Sequence, residues 1–278
     1  MFVKLFKSLL IVGLIYSACC SADVKLPRLI SDNMVLQRDA EITFWGWADP
    51  NEKVTVHLDG KLVGTVQSGA KRWSIVLKPQ PAGTQHTIKI TANNTITVTN
   101  VAFGEVWLAS GQSNMVLPME PVKERYPKDI AEANYPDIRY FTVLTVCSFK
   151  SPEADYPEVQ WQVVNPESVM KFSATGFFFA RELFQTYHIP VGIINASVGG
   201  SPVEAWMSED ALTPFPKPFA EAKLFQNDSH IQAIQNADNT RSDNWYADIN
   251  ARDAGLSDAW FKPEFNDQNW KPFSLPGF

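Results

Sequence analysis

The sequence predicts a mixed α/β chain in which an all-β segment, residues 23–100, precedes a mostly parallel, doubly wound sheet over residues 101–250. Three observations carry this. Short runs rich in β-branched and aromatic side chains recur between residues 42 and 99, several alternating with period two as half-buried strands do. From Val101 the pattern changes to strand, loop, helix and strand, the order expected of αβ units. Two apolar runs, at 106–109 and 191–194, each end in a glycine-bearing turn. With 278 residues, 45% hydrophobic and 19% charged, the chain can bury a substantial core and is long enough for more than one domain.

Residues 1–22 read as a secretory signal: Lys4 and Lys7 form the charged start, Ser8 to Tyr16 the apolar centre, and Ser17 to Ala22 the small-residue cleavage region. The apolar stretch is too short for a comfortable membrane span. Cleavage after Ala22 is expected, with a secreted or periplasmic product. The alternative is lipoprotein processing at Cys19 and an outer-membrane anchor, which Tyr16 suits poorly. In the processed chain Cys147 is then the only cysteine, so no intrachain disulfide forms, and it reads as a small buried hydrophobe.

In the β segment the expected strands are 42–47, 54–58, 62–66, 73–77, 86–90 and 96–99. Asp59-Gly60 joins two of them as a two-residue hairpin signal, and Asn93-Asn94 is a weaker one. This spacing suggests a small β-sandwich. Trp45, Trp47 and Trp73 could form a sugar platform, but tryptophans alternating within strands are read as core.

Beyond Val101, the run 106–109 reads as a buried strand whose turn presents Ser113 at its C-terminal end, the edge where open α/β sheets bind ligands. A lone G-x-S is also a common polar turn, and Met115 departs from the G-x-S-x-G elbow. Ser173 to Tyr187 has helical length, with Ser173 as N-cap, Pro190 just beyond, and a broad apolar face at Phe177, Phe178, Ala180, Leu183 and Phe184. The strand 191–194 follows, and its loop carries Gly199 and Gly200. Such a loop brings backbone amides close to a reacting atom, as an oxyanion hole requires, although it could equally serve chain reversal alone. His188 enters that strand from the opposite end and reads as structural. Residues 208–250 are polar, with helix-compatible stretches at 209–212 and 220–225.

A net charge of −6 and the absence of a basic run outside the extreme N-terminus leave nothing that favours nucleic acid or an anionic membrane. No metal-ligand cluster is apparent in residues 23–100, and no metal or organic cofactor is implied.

Three motifs in order, L-I-S-D-N-M-V-L-Q-R at 29–38, G-Q-S-N-M at 111–115 and G-G-S-P-V-E-A-W at 199–206, resemble the SGNH-type carbohydrate O-acetylesterases, most closely the sialate O-acetylesterase family. The resemblance implies an SGNH-hydrolase-like sheet and makes Ser113 the nucleophile. The amides of Ser113 and Gly200, or Gly199 if the register differs, become oxyanion donors, and Gln112 and Asn114 substrate contacts. The implied substrate is O-acetylated sialic acid, with acetylated plant polysaccharide of the acetylxylan type as the alternative. A secreted, non-catalytic glycan-binding fragment is the further alternative. A peptidase or lipase is disfavoured, because no lipase-type glycine pair and no lid signal occur.

In the family a third oxyanion donor comes from an asparagine in Q-G-E-x-N, and the base from a histidine in D-x-x-H. Neither motif occurs here: the histidines are His57, His86, His188 and His230, and none has an aspartate three residues before it. Residues 260–278, with Trp260, Asn266-Asp267, Trp270, Leu275 and Pro276, resemble the opening of a galactose-binding-like β-sandwich inserted in many members. The expectation is therefore an N-terminal portion of an esterase, residues 101–250 being the first part of its catalytic domain and 251–278 the start of an inserted β-domain.

Overall fold

The structure, a computed structural model, describes residues 23–274. The expected signal segment, with its cleavage and lipidation sites, and residues 275–278 lie outside the described residues. Two compact units divide the chain, one formed by 23–147 with 153–202 and the other by 148–152 with 203–274.

The first unit contains ten strands: β1 (Val35–Gln37), β2 (Ile42–Trp47), β3 (Lys53–Leu58), β4 (Lys61–Gln67), β5 (Arg72–Leu77), β6 (Gly83–Thr91), β7 (Thr95–Gly111), β8 (Tyr135–Thr142), β9 (Gln162–Val164) and β10 (Val191–Ser197). It also holds helices α1 (Ser113–Val116), α2 (Pro127–Ala131) and α3 (Ala174–Tyr187). Eight strands form one mixed sheet in the order β4-β3-β6-β7-β10-β8-β9, with β1 also on β7; β2 and β5 pair separately. The β4-β3-β6-β7 end is antiparallel, while β7, β10 and β8 run parallel.

All six strands expected in the β segment are present, and the last is longer than its local pattern indicates. The runs 96–99 and 106–109 belong to one 17-residue strand, β7, which passes through residue 100 without a break. At the Asp59-Gly60 turn both residues have positive φ, 49° and 76°, the geometry a two-residue hairpin between twisted strands requires.

Period two assigns the tryptophans differently from expectation. Phe44 and Gly46 point inward on β2, which leaves Trp45 and Trp47 half-buried on the other face, edge to face with centroids 5.2 Å apart. Arg72 stacks its guanidinium on Trp45, 3.5 Å from the ring centroid. Trp73 alone of the three is in the core, 1% exposed, and it packs over Gly46, where a Cβ would lie 2.3 Å from Lys25 O and 3.0 Å from the indole. Around it Phe44 and Leu77 meet Val54, Val56, Ile88, Ile90 and Val98 from the large sheet in one apolar cluster.

Motif 29–38 is a clasp along β7. Asp32 Oδ1 accepts from the Thr99 amide and hydroxyl at 2.6 and 3.0 Å, and Asn33 Oδ1 accepts from Asn100 Nδ2 at 2.7 Å. Gln37 Oε1 accepts from the Val106 amide at 3.0 Å, and Arg38 pairs with Glu105 at 2.9 Å. Buried Met34 and Val35 fill the space beneath.

Helix α3 forms where the pattern places it, and Ser173 Oγ accepts from the Gly176 amide at 3.1 Å as the N-cap. Its apolar side covers one face of β10 and β8 through Phe177, Ala180, Tyr140, Ile138 and Ile193. Among the described residues no helix of this unit packs on the opposite face, unlike the doubly wound expectation. There Phe141, Trp161, Val106 and Ile194 join the cluster that contains the β2 and β5 side chains. Ser173→Ala is expected to cost about 1 kcal/mol in urea denaturation through loss of the cap.

His86 Nδ1 and Asp59 Oδ2 are 2.7 Å apart beside the hairpin turn. Partial burial pushes the Asp59 carboxyl up, but the His86 hydrogen bond, the Thr87 amide and the charges of His86 and Lys61 outweigh it, so the group sits below its ordinary 3.8. A depressed carboxyl stabilises the fold above its unfolded value, and that contribution is lost as pH falls through the folded value. Asp59→Asn should therefore lower the melting temperature at neutral pH and match the unsubstituted chain once pH is well below 3.8.

The second unit is helical: α4 (Glu209–Leu212), α5 (Pro216–Leu224), α6 (Asp228–Arg252) and α7 (Ala254–Ser257). Sequence reasoning marks the stretches near α4 and α5 but misses the 25-residue α6, which buries none of its side chains and so lacks an apolar stripe to read. Its start is capped by Asn227, whose Oδ1 accepts from the Ser229 and His230 amides. Residues 251–274, expected to open a β-domain, contain α7 and turns and no strand among the described residues; Trp260, Phe265 and Trp270 cluster locally instead. Cys147, expected to be buried, is exposed in the irregular segment after β8.

Candidate active site

Ser113 opens α1 directly after β7. The turn is made by Gly111, whose φ of 145° lies in a region that favours glycine. Parallel pairing aligns Ser197 with Gly111, so the loop after β10 leaves the sheet beside the loop after β7. The two are tied together: the Val198 amide donates to Gly111 O at 3.0 Å, and Gln112 Nε2 donates to Ser201 O. Gln112 is thus a structural link between the loops.

Gly199 stands against the serine. A Cβ at Gly199 would lie 3.2 Å from Ser113 Oγ, tighter than ordinary contact, and 3.8 Å from its Cα, so a larger residue there would require the serine hydroxyl to give way. Gly200, with φ 73°, faces open space. Of the two adjacent glycines, Gly199 is the one that abuts Ser113 Oγ. The loop's own backbone bonds are those of Val198 and Ser201, which leaves the Gly199 and Gly200 amides without a partner among the described residues. The first amides of α1, beginning with Ser113, likewise have no intrahelical acceptor.

Ser113, Gln112, Asn114, Gly199 and Gly200 are all exposed. Asn114 accepts from Thr175 Oγ1 at 3.1 Å through its carbonyl, which fixes α1 on the start of α3, and the Ala174 amide donates to Leu117 O at 2.8 Å. The strand end behind the serine is more open than its apolar run implies, for Trp107 and Leu108 are 45% and 66% exposed. Trp107 meets Phe179 of α3 edge to face, and Leu108 is on the other side of the strand. Sequence reasoning missed Asn195, buried on β10, whose Oδ1 accepts from Ser197 Oγ at 2.5 Å.

No histidine of this unit reaches Ser113. His86 lies opposite Val101, ten residues up β7 from Gly111, which at about 3.3 Å per residue is roughly 30 Å away. His57 pairs with Lys89 in the same distant part of the sheet. His188 is the left-handed C-cap of α3, at the start of β10, so the length of that strand, roughly 20 Å, separates it from the serine edge. His230 belongs to α6 in the second unit.

Residues 103–242 match the family model for carbohydrate esterases described as sialic acid-specific acetylesterase, and that span includes the serine turn, the glycine loop and the parallel strands. The chain belongs to this family. Among curated proteins, this acetylesterase-family chain is 32% identical over 224 residues to the sialate O-acetylesterase of Homo sapiens, covering 73% of the chain and 43% of the relative. To the Rattus norvegicus sialate O-acetylesterase it is 32% identical over 202 residues, covering 66% and 37%. Among solved structures, a carbohydrate acetylesterase from Xanthomonas citri matches with TM-score 0.65 and 36% identity, covering 68% of this chain and 44% of that one. The chain thus spans less than half the length of the relatives it matches.

Proposed function

We propose that the chain carries the nucleophile-bearing part of a carbohydrate O-acetylesterase that acts on O-acetylated sialic acid. The observation that carries this reading is the contact between Gly199 and Ser113 Oγ at the ends of adjacent parallel strands. In this reading Ser113 Oγ attacks the acetyl carbonyl carbon and loses its proton to a base. The oxyanion that forms is held by the Ser113 amide and the amides of the Gly199-Gly200 loop. Collapse expels the sugar oxygen, which takes a proton, and leaves acetyl-Ser113; water then attacks this ester and releases acetate by the same route. Gln112 and Asn114 border the site as sugar contacts.

This unit supplies neither a histidine base at Ser113 nor the third oxyanion donor of the Q-G-E-x-N type. Imidazole in solution provides the missing base without occupying the oxyanion site. Added imidazole is therefore expected to promote acetate release from mono-O-acetylated N-acetylneuraminic acid in the presence of the chain, and Ser113→Ala is expected to reduce that release to the imidazole background. Equal release by both proteins at every imidazole concentration overturns the reading. The same residues fit acetylated xylan as the alternative substrate, and the absence of a base near Ser113 favours a non-catalytic glycan-binding role as the second reading. The 1–22 segment supports export to the periplasm or medium, with lipidation at Cys19 as the alternative. In this reading residues 23–100 serve as an accessory β-domain and residues 101–250 as the first part of an SGNH-like esterase domain.

A further inference from the structure

A cavity opens at the same sheet edge as Ser113. It has a volume of about 820 Å³ and is built around the end of β8, the 158–162 segment and the turn at 165–171. That size falls within the roughly 300–1,000 Å³ typical of small-molecule sites. Thr142 on its wall is opposite Asn195 of β10, which in turn is opposite Ala109 of β7. The cavity wall and the serine-bearing strand are therefore two strand spacings apart, about 10 Å. Tyr140, Thr142 and Asn195 share the sheet face that carries α3, as their register and alternation require. Asn195, bonded to Ser197, thus makes a polar bridge along one face from the glycine loop to the cavity.

Its wall is rich in uncommitted donors and acceptors. Gln160 and Gln162 make no side-chain hydrogen bond, and Lys171 and Glu167 make no ion pair, among the described residues. Asn165 spends its Oδ1 on the Glu167 and Ser168 amides, leaving its NH₂ group. Arg28 and Glu158 stand 3.9 Å apart and exposed, and the Arg28 backbone is pinned by Asp155. Two cations and two carboxylates balance, so the lining has no net charge to select a simple anion. What it offers is donors and acceptors side by side, interleaved with amides, the complement of vicinal hydroxyl groups. Tyr140 closes the floor with its hydroxyl committed to Ser168 O at 2.7 Å and its ring stacked on Phe172.

We infer that this cavity is an accessory sugar subsite that holds the glycan residues next to the acetylated one, with Gln162 and Lys171 as its main contacts. The inference rests on the acetylesterase reading for its place in the reaction, but its binding can be tested independently of turnover. The probes are sialyllactose and xylotetraose, neither of which carries an acetyl ester, titrated into the full chain by ¹H–¹⁵N NMR. Saturable shifts at Gln160, Gln162 and Lys171 with either sugar are expected. The Gln162→Ala/Lys171→Ala double variant is expected to weaken binding about tenfold, as loss of hydrogen bonds including one to a charged group would. Both positions are exposed, so the melting temperature should not move. Ser113→Ala should leave sugar affinity unchanged while removing imidazole-supported acetate release, which separates failure of the subsite from failure of the esterase reading. No saturable binding of either sugar, or binding that the double variant leaves intact, overturns the subsite.

Discussion

Arg139→Met is expected to cost about 3 kcal/mol, seen as a loss of roughly a hundredfold in hydrogen-exchange protection of the β7 and β8 amides. Arg139 is 1% exposed, and no carboxylate shares its site at hydrogen-bond range. Its guanidinium instead donates to Asn33 O at 3.1 Å, Met34 O at 3.4 Å, Asn100 Oδ1 at 3.1 Å and Asn100 O, while Nε reaches Pro136 O at 3.3 Å. Burial pushes its pKa down, with Asp137 partly opposing, so desolvating the cation is itself costly. Two effects therefore compete on substitution. Methionine removes the desolvation cost, but it leaves several part-buried carbonyls without a donor, at roughly 1–3 kcal/mol each. The second effect should win because Asn33 and Asn100 hold positive φ, 64° and 52°, and the guanidinium ties the turn at Asn33 to strand β7 at Asn100. Without it that tie rests on the Asn100 Nδ2 to Asn33 Oδ1 bond and on the Asn33 amide bonded to Thr99 O. Unchanged exchange rates in the variant would mean that desolvation consumes everything the bonds return.

This clasp also shows where sequence reasoning reaches its limit. Motif 29–38 was legible as a family marker, but its task was not, because Asp32, Asn33, Gln37 and Arg38 act on partners about 67 residues away, at 99–106. Short-range signals fared better. Alternation gave β2 its residues, Asp59-Gly60 gave the hairpin, and Ser173 gave the α3 cap, since each is decided within a few residues. Alternation could not say which face of β2 is inside; that was decided by Trp73 from β5 filling the space over Gly46. Strand β8 went unread because its Pro136, Asp137 and Arg139 break the apolar pattern, and Arg139 is inward for a tertiary reason. At the candidate site, both glycine turns were visible in the residues. That Gly199 rather than Gly200 touches the serine depends on the β7–β10 register, which a single sequence does not specify.

The 278-residue chain, without added imidazole, is expected to hydrolyse 4-nitrophenyl acetate no faster than its Ser113→Ala variant. A serine hydroxyl is a weak nucleophile at neutral pH unless a base within hydrogen-bond reach takes its proton. Where serine and histidine act as a unit, removing one costs about as much as removing both, on the order of 10⁶ in kcat. Here the unpaired amides beside Ser113 are present, and none of the histidines of its own unit is within reach. His86 has a carboxylate partner, as a catalytic histidine would, but it is roughly 30 Å up β7 from the serine. His188 is at the wrong end of β10, and no histidine stands in a D-x-x-H segment. Substrate should still occupy the site weakly, since the amides can donate to an ester carbonyl oxygen without turnover following. The measurement is the initial rate across pH for the unsubstituted chain, Ser113→Ala, His188→Ala and His230→Ala. Coincident rates for all four are expected. A rate that needs Ser113 and falls on replacing His230 would mean that α6 delivers the base, and one that falls on replacing His188 would require β10 to move by most of its length; either result refutes the prediction.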